Sequence, residues 1–233
     1  MSKTNDIIIA PSLLSADFGR IAEEAQRCKE AGADQLHLDV MDGHFVPNLT
    51  MGPQIVAAVN RATDLFLDVH LMIYNPFDYI ERFVQAGANS LTIHFEATED
   101  VEDTLNYIRK CNARAGLAIC PETSVELITP YIDKCDMILI MSVHPGFGGQ
   151  SFMPEVLEKV RFIRTAVDKR GIRDTGVKAT ADEKPPFAIQ MDGGVDSKTA
   201  PSCIEAGANV LVSGSYLFKD PDMAKAIKTL RAK

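Results

Sequence analysis

The sequence has no apolar run long enough to cross a membrane and no excess of positive charge. Its 24 Lys and Arg residues are outnumbered by 32 Asp and Glu residues, which gives a formal net charge of -8. Such a chain has no basic face to hold a phosphate backbone, so we expect no nucleic-acid partner. The apolar segment 7–10 is too short for a secretory signal and runs into Pro11. We therefore expect a first strand there, in a cytoplasmic protein that does not bind membranes.

Cysteine is scarce and linkers are absent. The five cysteines are an odd number without CxxC spacing, which predicts buried thiols in a reducing compartment for Cys28, Cys111, Cys120, Cys135 and Cys203. No low-complexity segment divides the chain, so we expect residues 1–233 to form one domain. The most irregular stretch is 173–186, which includes Pro185 and Pro186. It follows a predicted helix and precedes a predicted strand, and we interpret it as a solvated loop.

Apolar runs of strand length alternate with amphipathic stretches of helical length. Spacings of three and four, as in Phe18-Ile21-Ala25-Cys28 and Phe77-Ile80-Phe83, predict helices that bury one face. Eight strands are predicted between such segments, at 7–12, 35–41, 65–72, 90–96, 116–120, 136–143, 187–192 and 209–213.

A short repeat marks the passage from helix to strand. It occurs as Ala-Gly-Ala-Asp at 31–34 and as Ala-Gly-Ala-Asn at 86–89 and 206–209. Glycine at such a position suits the left-handed residue that ends a helix. Eight strand-helix units in a chain of this length predict an α/β fold, a single (β/α)8 TIM barrel, with reactive groups at the carboxyl ends of the strands. A doubly wound sheet is the alternative.

Polar side chains lie on the inward faces of several predicted strands. Residues two apart share one face of a strand, so His37, Asp39 and Met41 point one way, and His70 and Met72 form a similar pair. Asp192 ends the seventh strand. Buried carboxylates are costly without partners, and a divalent cation would allow Asp39 and Asp192 to remain ionised. Mixed nitrogen and oxygen ligands suit Zn(II), Fe(II), Mn(II) or Co(II), and we expect one such ion.

Other inward residues leave two interpretations open. Met41, Met72 and Met141 are either a polarizable pocket lining that excludes water or ordinary core filling. His94 and Glu96 are either partners of the metal ligands or structural hydrogen-bonding groups.

Glycine-rich loops provide a second functional signal. They follow the sixth, seventh and eighth strands, at 146–149, 193–194 and 214–215. Backbone N–H groups in such loops can converge on an anion, and barrels commonly hold phosphate in the loops after strands seven and eight. The sequence therefore predicts a phosphate site beside the metal site.

Several motifs together resemble one family. They are APSLLSADF at 10–18, HLDVMDGHFVPN at 37–48, DVHLM at 68–72, MSVHPGFGGQ at 141–150 and DGG at 192–194. In this order they are similar to the motifs of the ribulose-phosphate 3-epimerase family, and the similarity covers about residues 7 to 219. The stretch 177–186 departs from the family pattern because it is longer than usual.

The resemblance implies a TIM barrel that interconverts D-ribulose 5-phosphate and D-xylulose 5-phosphate in the pentose phosphate and Calvin pathways. It implies metal ligation by His37, Asp39, His70 and Asp192, with Asp39 and Asp192 as the acid-base pair that acts through a cis-enediolate. No organic cofactor is expected, and family members that form dimers and hexamers imply a homo-oligomer. The substrate contacts that it implies are Ser12, His70, Gly146, Phe147, Gly148, Gly149, Asp192, Gly193, Gly194, Gly214 and Ser215.

Three alternative functions share part of this pattern. A related barrel enzyme acting on orotidine or a 3-keto sugar phosphate would carry lysine where this chain has Met41, in an Asp-x-Lys-x-x-Asp motif. An epimerase of another ketose phosphate, such as allulose 6-phosphate, would share nearly all the chemistry. A non-catalytic sugar-phosphate or metal-binding protein is disfavoured because both aspartates are present.

Overall fold

Eight parallel strands form the centre of the structure. A computed structural model describes residues 7–173 and 187–231, so most of the irregular stretch predicted to be a solvated loop, 174–186, lies outside the described residues. The strands are β1 Ile8–Pro11, β2 Gln35–Met41, β3 Phe66–Met72, β4 Ser90–His94, β5 Arg114–Ile119, β6 Met137–Met141, β7 Ala188–Asp192 and β8 Val210–Ser213. Each overlaps its predicted range. The largest differences are at β4 and β6, which each end two residues earlier than predicted, and at β5, which begins two residues earlier.

The strands close into a barrel. Their hydrogen-bonded order is β1-β8-β7-β6-β5-β4-β3-β2, and a parallel bridge between Ser12 and His37 joins the two ends of that series. A doubly wound sheet would place β1 inside the sheet with free edges on both sides. The predicted (β/α)8 barrel is therefore confirmed and the doubly wound alternative is wrong.

Helices follow the strands and cover the outside of the barrel. They are α1 Ile21–Glu30, α2 Pro53–Ala62, α3 Ile80–Gln85, α4 Val101–Lys110, α5 Leu157–Arg170, α6 Ala200–Ala206, α7 Ser215–Lys219 and α8 Met223–Arg231. After β5 the chain instead forms a 3-10 helix, Val125–Tyr131. Pro130 lies inside that segment and lacks the N–H that an α-helix needs. None of the helices in the described ranges is long and apolar enough to span a membrane.

The alternation of β2 separates the core from the site. Leu36, Leu38 and Val40 belong to the large apolar cluster between barrel and helices, whereas His37 and Asp39 are buried on the other face. Because both faces are covered, every residue of β2 is buried. The prediction that Phe18 and Phe77 are buried is wrong. Their side chains are 41% and 36% exposed, since each lies in a 3-10 turn that precedes its helix.

The five cysteines are all free thiols. Cys28, Cys135 and Cys203 are buried, as predicted, but Cys111 and Cys120 are only partly buried. Cys111 caps the exposed end of α4, and Cys120 follows the last residue of β5.

Candidate active site

A cavity of about 750 Å³ opens at the carboxyl ends of the strands. Its wall contains Ser12, Asp39 and Asp192, the three methionines Met41, Met72 and Met141, and all the predicted glycine-rich loops. The barrel thus brings the two predicted signals, acidic strand ends and glycine-rich loops, into one pocket.

Four side chains converge at the floor of this cavity. Single donor atoms of His37, Asp39, His70 and Asp192 all lie within 4.8 Å of one another. Asp39 Oδ1 is 3.2 Å from both His37 Nε2 and His70 Nδ1, and Asp192 Oδ2 is 3.6 Å and 3.7 Å from the same two nitrogens. In the register between β2 and β3, Asp39 lies opposite His70. The four residues predicted as metal ligands are therefore brought together.

One atom of this cluster indicates that a cation fits it. His37 Nδ1 lies 2.8 Å from Asp68 Oδ2 and donates to it, so the lone pair of neutral His37 is on Nε2. Among the described residues that buried Nε2 makes no hydrogen bond and faces the carboxylate oxygens of Asp39 and Asp192 at 3.2 and 3.6 Å. A lone pair against carboxylates is costly, and a cation between them would remove that cost. Two imidazole nitrogens and two carboxylates form a donor set suited to a first-row divalent metal.

Asp68 fixes the orientation of His37. Its carboxylate accepts from Ser90 Oγ at 2.6 Å and from Gln190 Nε2 at 2.7 Å, besides His37. Burial opposes its ionisation, but these donors hold the pKa of Asp68 below its ordinary value. Sequence reasoning gave Asp68 no role in the site. The available signal was its position two residues before His70, on the same face of β3.

The two catalytic candidates have opposite electrostatic surroundings. Burial opposes a charge on Asp39, but His37 and His70 outweigh it and lower the pKa of Asp39. Ser12 Oγ also donates to Asp39 Oδ2 at 2.6 Å. For Asp192, burial and the neighbouring charge of Asp39 both raise the pKa. Such a separation allows one carboxylate to accept a proton while the other holds one.

The glycine-rich loops form the opposite wall of the cavity, with Gly146, Phe147, Gly148, Gly149, Gly193, Gly194, Gly214 and Ser215 all lining it. Ser142 Oγ donates to the carbonyls of Asp192 and Gly193, at 2.9 and 2.6 Å, and so ties the end of β6 to the end of β7. At Gly194, which has φ +63°, a Cβ atom would lie 2.7 Å from the backbone nitrogen of Phe152. Only glycine allows the two loops to approach this closely.

The sequence model of the Ribulose-phosphate 3 epimerase family matches residues 8–218. The chain belongs to this family. The resemblance found in the motifs is thus confirmed, and with it the assignment to the isomerases, since the similar curated proteins are named as epimerases.

The protein named ribulose-phosphate 3-epimerase from Chlamydia pneumoniae is 47% identical over 230 residues, which cover 99% of this chain and 96% of that one. The protein of the same name from Bacillus subtilis is 45% identical and covers 97% and 98%. A chloroplastic protein from Arabidopsis thaliana is 42% identical and covers 98% and 77%.

Solved structures of lower identity show the same fold. A 3-hexulose-6-phosphate synthase is 16% identical with a TM-score of 0.65, and the alignment covers 97% of this chain and 98% of that one. KGPDC from Streptococcus mutans is 12% identical with a TM-score of 0.67, covering 97% and 96%. At this identity the similarity concerns the barrel alone.

The methionines of this ribulose-phosphate 3-epimerase family member lie in the cavity wall and in apolar clusters at once. Met41 and Met72 pack with Val46, and Met141 packs with Leu139 and Val143. The two interpretations of these residues, pocket lining and core filling, are therefore compatible.

Proposed function

We propose that this chain is a metal-dependent ribulose-phosphate 3-epimerase that interconverts D-ribulose 5-phosphate and D-xylulose 5-phosphate. The observation that carries the proposal is the convergence of two carboxylates from different strands, Asp39 and Asp192, with two imidazoles in one set of metal-binding donors. The family membership supports the choice of substrate.

The proposed reaction inverts the carbon next to a ketone. A proton must leave one face of C3 and another must arrive on the opposite face, so two positioned acid-base groups are needed. In one direction Asp39 accepts the proton, which leaves a cis-enediolate, and Asp192 donates its proton to the other face. In the reverse direction the two aspartates exchange roles.

His37, Asp39, His70 and Asp192 would hold the cation. When bound, a divalent metal supplies Lewis-acid stabilisation of the negative charge that develops on the substrate oxygens. Ser12 holds Asp39 through its hydroxyl, which limits the positions of the proton acceptor. Met41, Met72 and Met141 exclude water without adding a competing donor.

The glycine-rich wall would bind the substrate phosphate. Backbone N–H groups of the loops at 146–149, 193–194 and 214–215 are the donors available there, in the position where barrels commonly hold phosphate.

The experiment is solvent-deuterium exchange at C3 of ribulose 5-phosphate, combined with metal analysis of protein purified without a chelator. We expect deuterium in the xylulose product, loss of activity after metal stripping, and recovery with Zn(II), Fe(II), Mn(II) or Co(II). Absence of deuterium incorporation would favour a binding protein. Faster turnover of allulose 6-phosphate than of ribulose 5-phosphate would favour the other ketose epimerase.

A further inference from the structure

The side of His70 that faces away from the carboxylates makes a second contact. While His70 Nδ1 faces Asp39 and Asp192, its Nε2 lies 2.9 Å from Nε2 of His94 on β4. Both imidazoles are buried, with ring centroids 5.0 Å apart and planes inclined by 25°. At such a contact one nitrogen donates and the other accepts.

The far end of His94 decides the direction of this hydrogen bond. His94 Nδ1 is 3.1 Å from Glu96 Oε2, and a carboxylate only accepts. His94 therefore donates from Nδ1, so its Nε2 carries the lone pair and accepts from His70 Nε2–H. The same arrangement leaves the lone pair of His70 on Nδ1, 3.2 Å from Asp39 Oδ1, so a cation bound between the two atoms would take the place of a proton.

Glu96 is itself held by the loop after β5. Its Oε1 accepts from the backbone N–H of Cys120 at 2.8 Å and from the hydroxyl of Thr123. The Glu96 side chain is 23% exposed, so it could rotate into solvent without these donors. They keep Oε2 facing His94.

Lys159 on α5 anchors that loop in turn. Its Nζ donates to the carbonyls of Cys120, Pro121 and Thr123, at 3.1, 2.6 and 2.6 Å. One side chain thus fixes the segment that holds Glu96, and a continuous line of contacts leads from α5 to the cavity floor.

We propose that His94 and Glu96 are positioning residues for the metal centre, which fix His70 in the tautomer that presents Nδ1 to the cation. The inference rests on the proposed metal dependence. Neither His94 nor Glu96 belongs to the described residues that line the substrate cavity. Both therefore act through His70. The assignment also explains why a carboxylate lies beside a buried histidine pair: it polarises both imidazoles in one direction.

The test measures metal affinity and ligand geometry rather than turnover. Co(II) binding is followed by its visible absorption spectrum and by competition with a chelator, in the wild type, His94→Leu, His94→Gln and Glu96→Gln. Glu99→Gln, which alters an exposed carboxylate three residues further along the chain, is the matched control. Histidine 15N spectra of the Zn(II)-loaded wild type report which nitrogen of each ring is protonated.

We expect His94→Leu to weaken Co(II) binding roughly 10- to 100-fold and to alter the absorption spectrum, as removal of a partner of a metal ligand commonly does. His94→Gln, whose amide can accept from His70 and donate to Glu96, should restore most of the affinity. Glu96→Gln should have a smaller effect than His94→Leu, and Glu99→Gln none. The 15N spectra should show protonated Nδ1 for His94 and protonated Nε2 for His70.

Unchanged Co(II) affinity in folded His94→Leu, or protonated Nε2 on His94, would overturn the inference. Should His94→Leu fail to fold, Glu96→Gln, which alters a partly exposed side chain, and the wild-type spectra decide the question. A wild type that binds no Co(II) at all would refute the proposed metal dependence itself, and the inference with it.

Discussion

At the scale of single residues, two aspartates on different strands differ because their neighbours differ. Asp39 lies between two imidazoles and accepts a serine hydroxyl. Asp192 ends β7 beside the charge of Asp39, and its neighbours give it less compensation. The inequality suits a reaction in which one group takes a proton while the other supplies one.

Asp192→Asn tests this division of roles. We expect epimerisation to fall below detection, because an amide cannot return a proton to its face of C3, while Asp39 still exchanges the proton on the other face. The measurements are a coupled assay for xylulose 5-phosphate and deuterium incorporation into unreacted ribulose 5-phosphate. Near-normal epimerisation by the variant would contradict the assignment of Asp192.

The inward-facing residues of the site could be predicted from the alternation of side chains along single strands. The period of two along β2 and β3 predicted that His37, Asp39 and His70 face inward, and the register of the two strands brings them together. It could not find the partners of these residues. Gln190 reaches Asp68 across 122 positions of sequence, and such a contact depends on barrel closure rather than on any local pattern.

At the scale of elements, the residue that ends each Ala-Gly-Ala repeat does more than follow a turn. Its side-chain oxygen accepts a hydrogen bond from the backbone N–H of one residue in the preceding strand. Its own backbone N–H donates to the carbonyl of that same strand residue. Asp136 does the same without the repeat, so the pairs are Asp34 with Ile9, Asn89 with Leu67, Asp136 with Ala115 and Asn209 with Ile189. Each pair joins an odd-numbered strand to the next strand, at the end of the barrel opposite the cavity.

We call each of these four residue pairs a clamp. The repeat in the sequence predicted only part of what they do. The glycine of the repeat predicted the end of a helix, and Gly32, Gly87 and Gly207 do have positive φ. The Asp or Asn two residues later carries the contact between strands. Its role depends on where the previous strand lies, which the repeat alone does not specify.

Asn89→Ala tests the clamp between β3 and β4. The N–H of buried Leu67 would lose its partner, at a cost of about 1–3 kcal/mol in the free energy of unfolding. At roughly 2–4 °C per kcal/mol for a chain of this size, the melting temperature should fall measurably in calorimetry. Asn89→Asp, which keeps the acceptor, should lose less, and Gln85→Ala on the exposed face of α3 is the control. Equal melting temperatures for Asn89→Ala and Gln85→Ala would contradict the clamp.

At the scale of the whole molecule, the fold was predictable because the same unit recurs eight times. The strand and the helix of each unit can be predicted from local periodicity. Errors in the predicted ends of elements, such as those of β4 and β5, therefore do not alter the predicted topology. The 3-10 helix after β5 shows that one unit can depart from the pattern without opening the barrel. The expectation of a solvated loop at 173–186, and that of a single domain over 1–233, stay predictions.

Metal binding should stabilise the whole barrel, because the proposed ligands come from β2, β3 and β7 and no such set exists in the unfolded chain. A metal at 100 times its dissociation constant adds about 2.7 kcal/mol to the free energy of unfolding. For a protein of this size that corresponds to a rise in melting temperature of about 5–10 °C. Calorimetry of stripped protein with added Zn(II) or Co(II) measures the effect. His37→Gln should abolish the rise, whereas His44→Gln, which alters an exposed histidine of the loop after β2, should retain it. Equal rises in the two variants would mean that the ions bind elsewhere, since His37, unlike the exposed His44, directs a buried nitrogen at the two carboxylates.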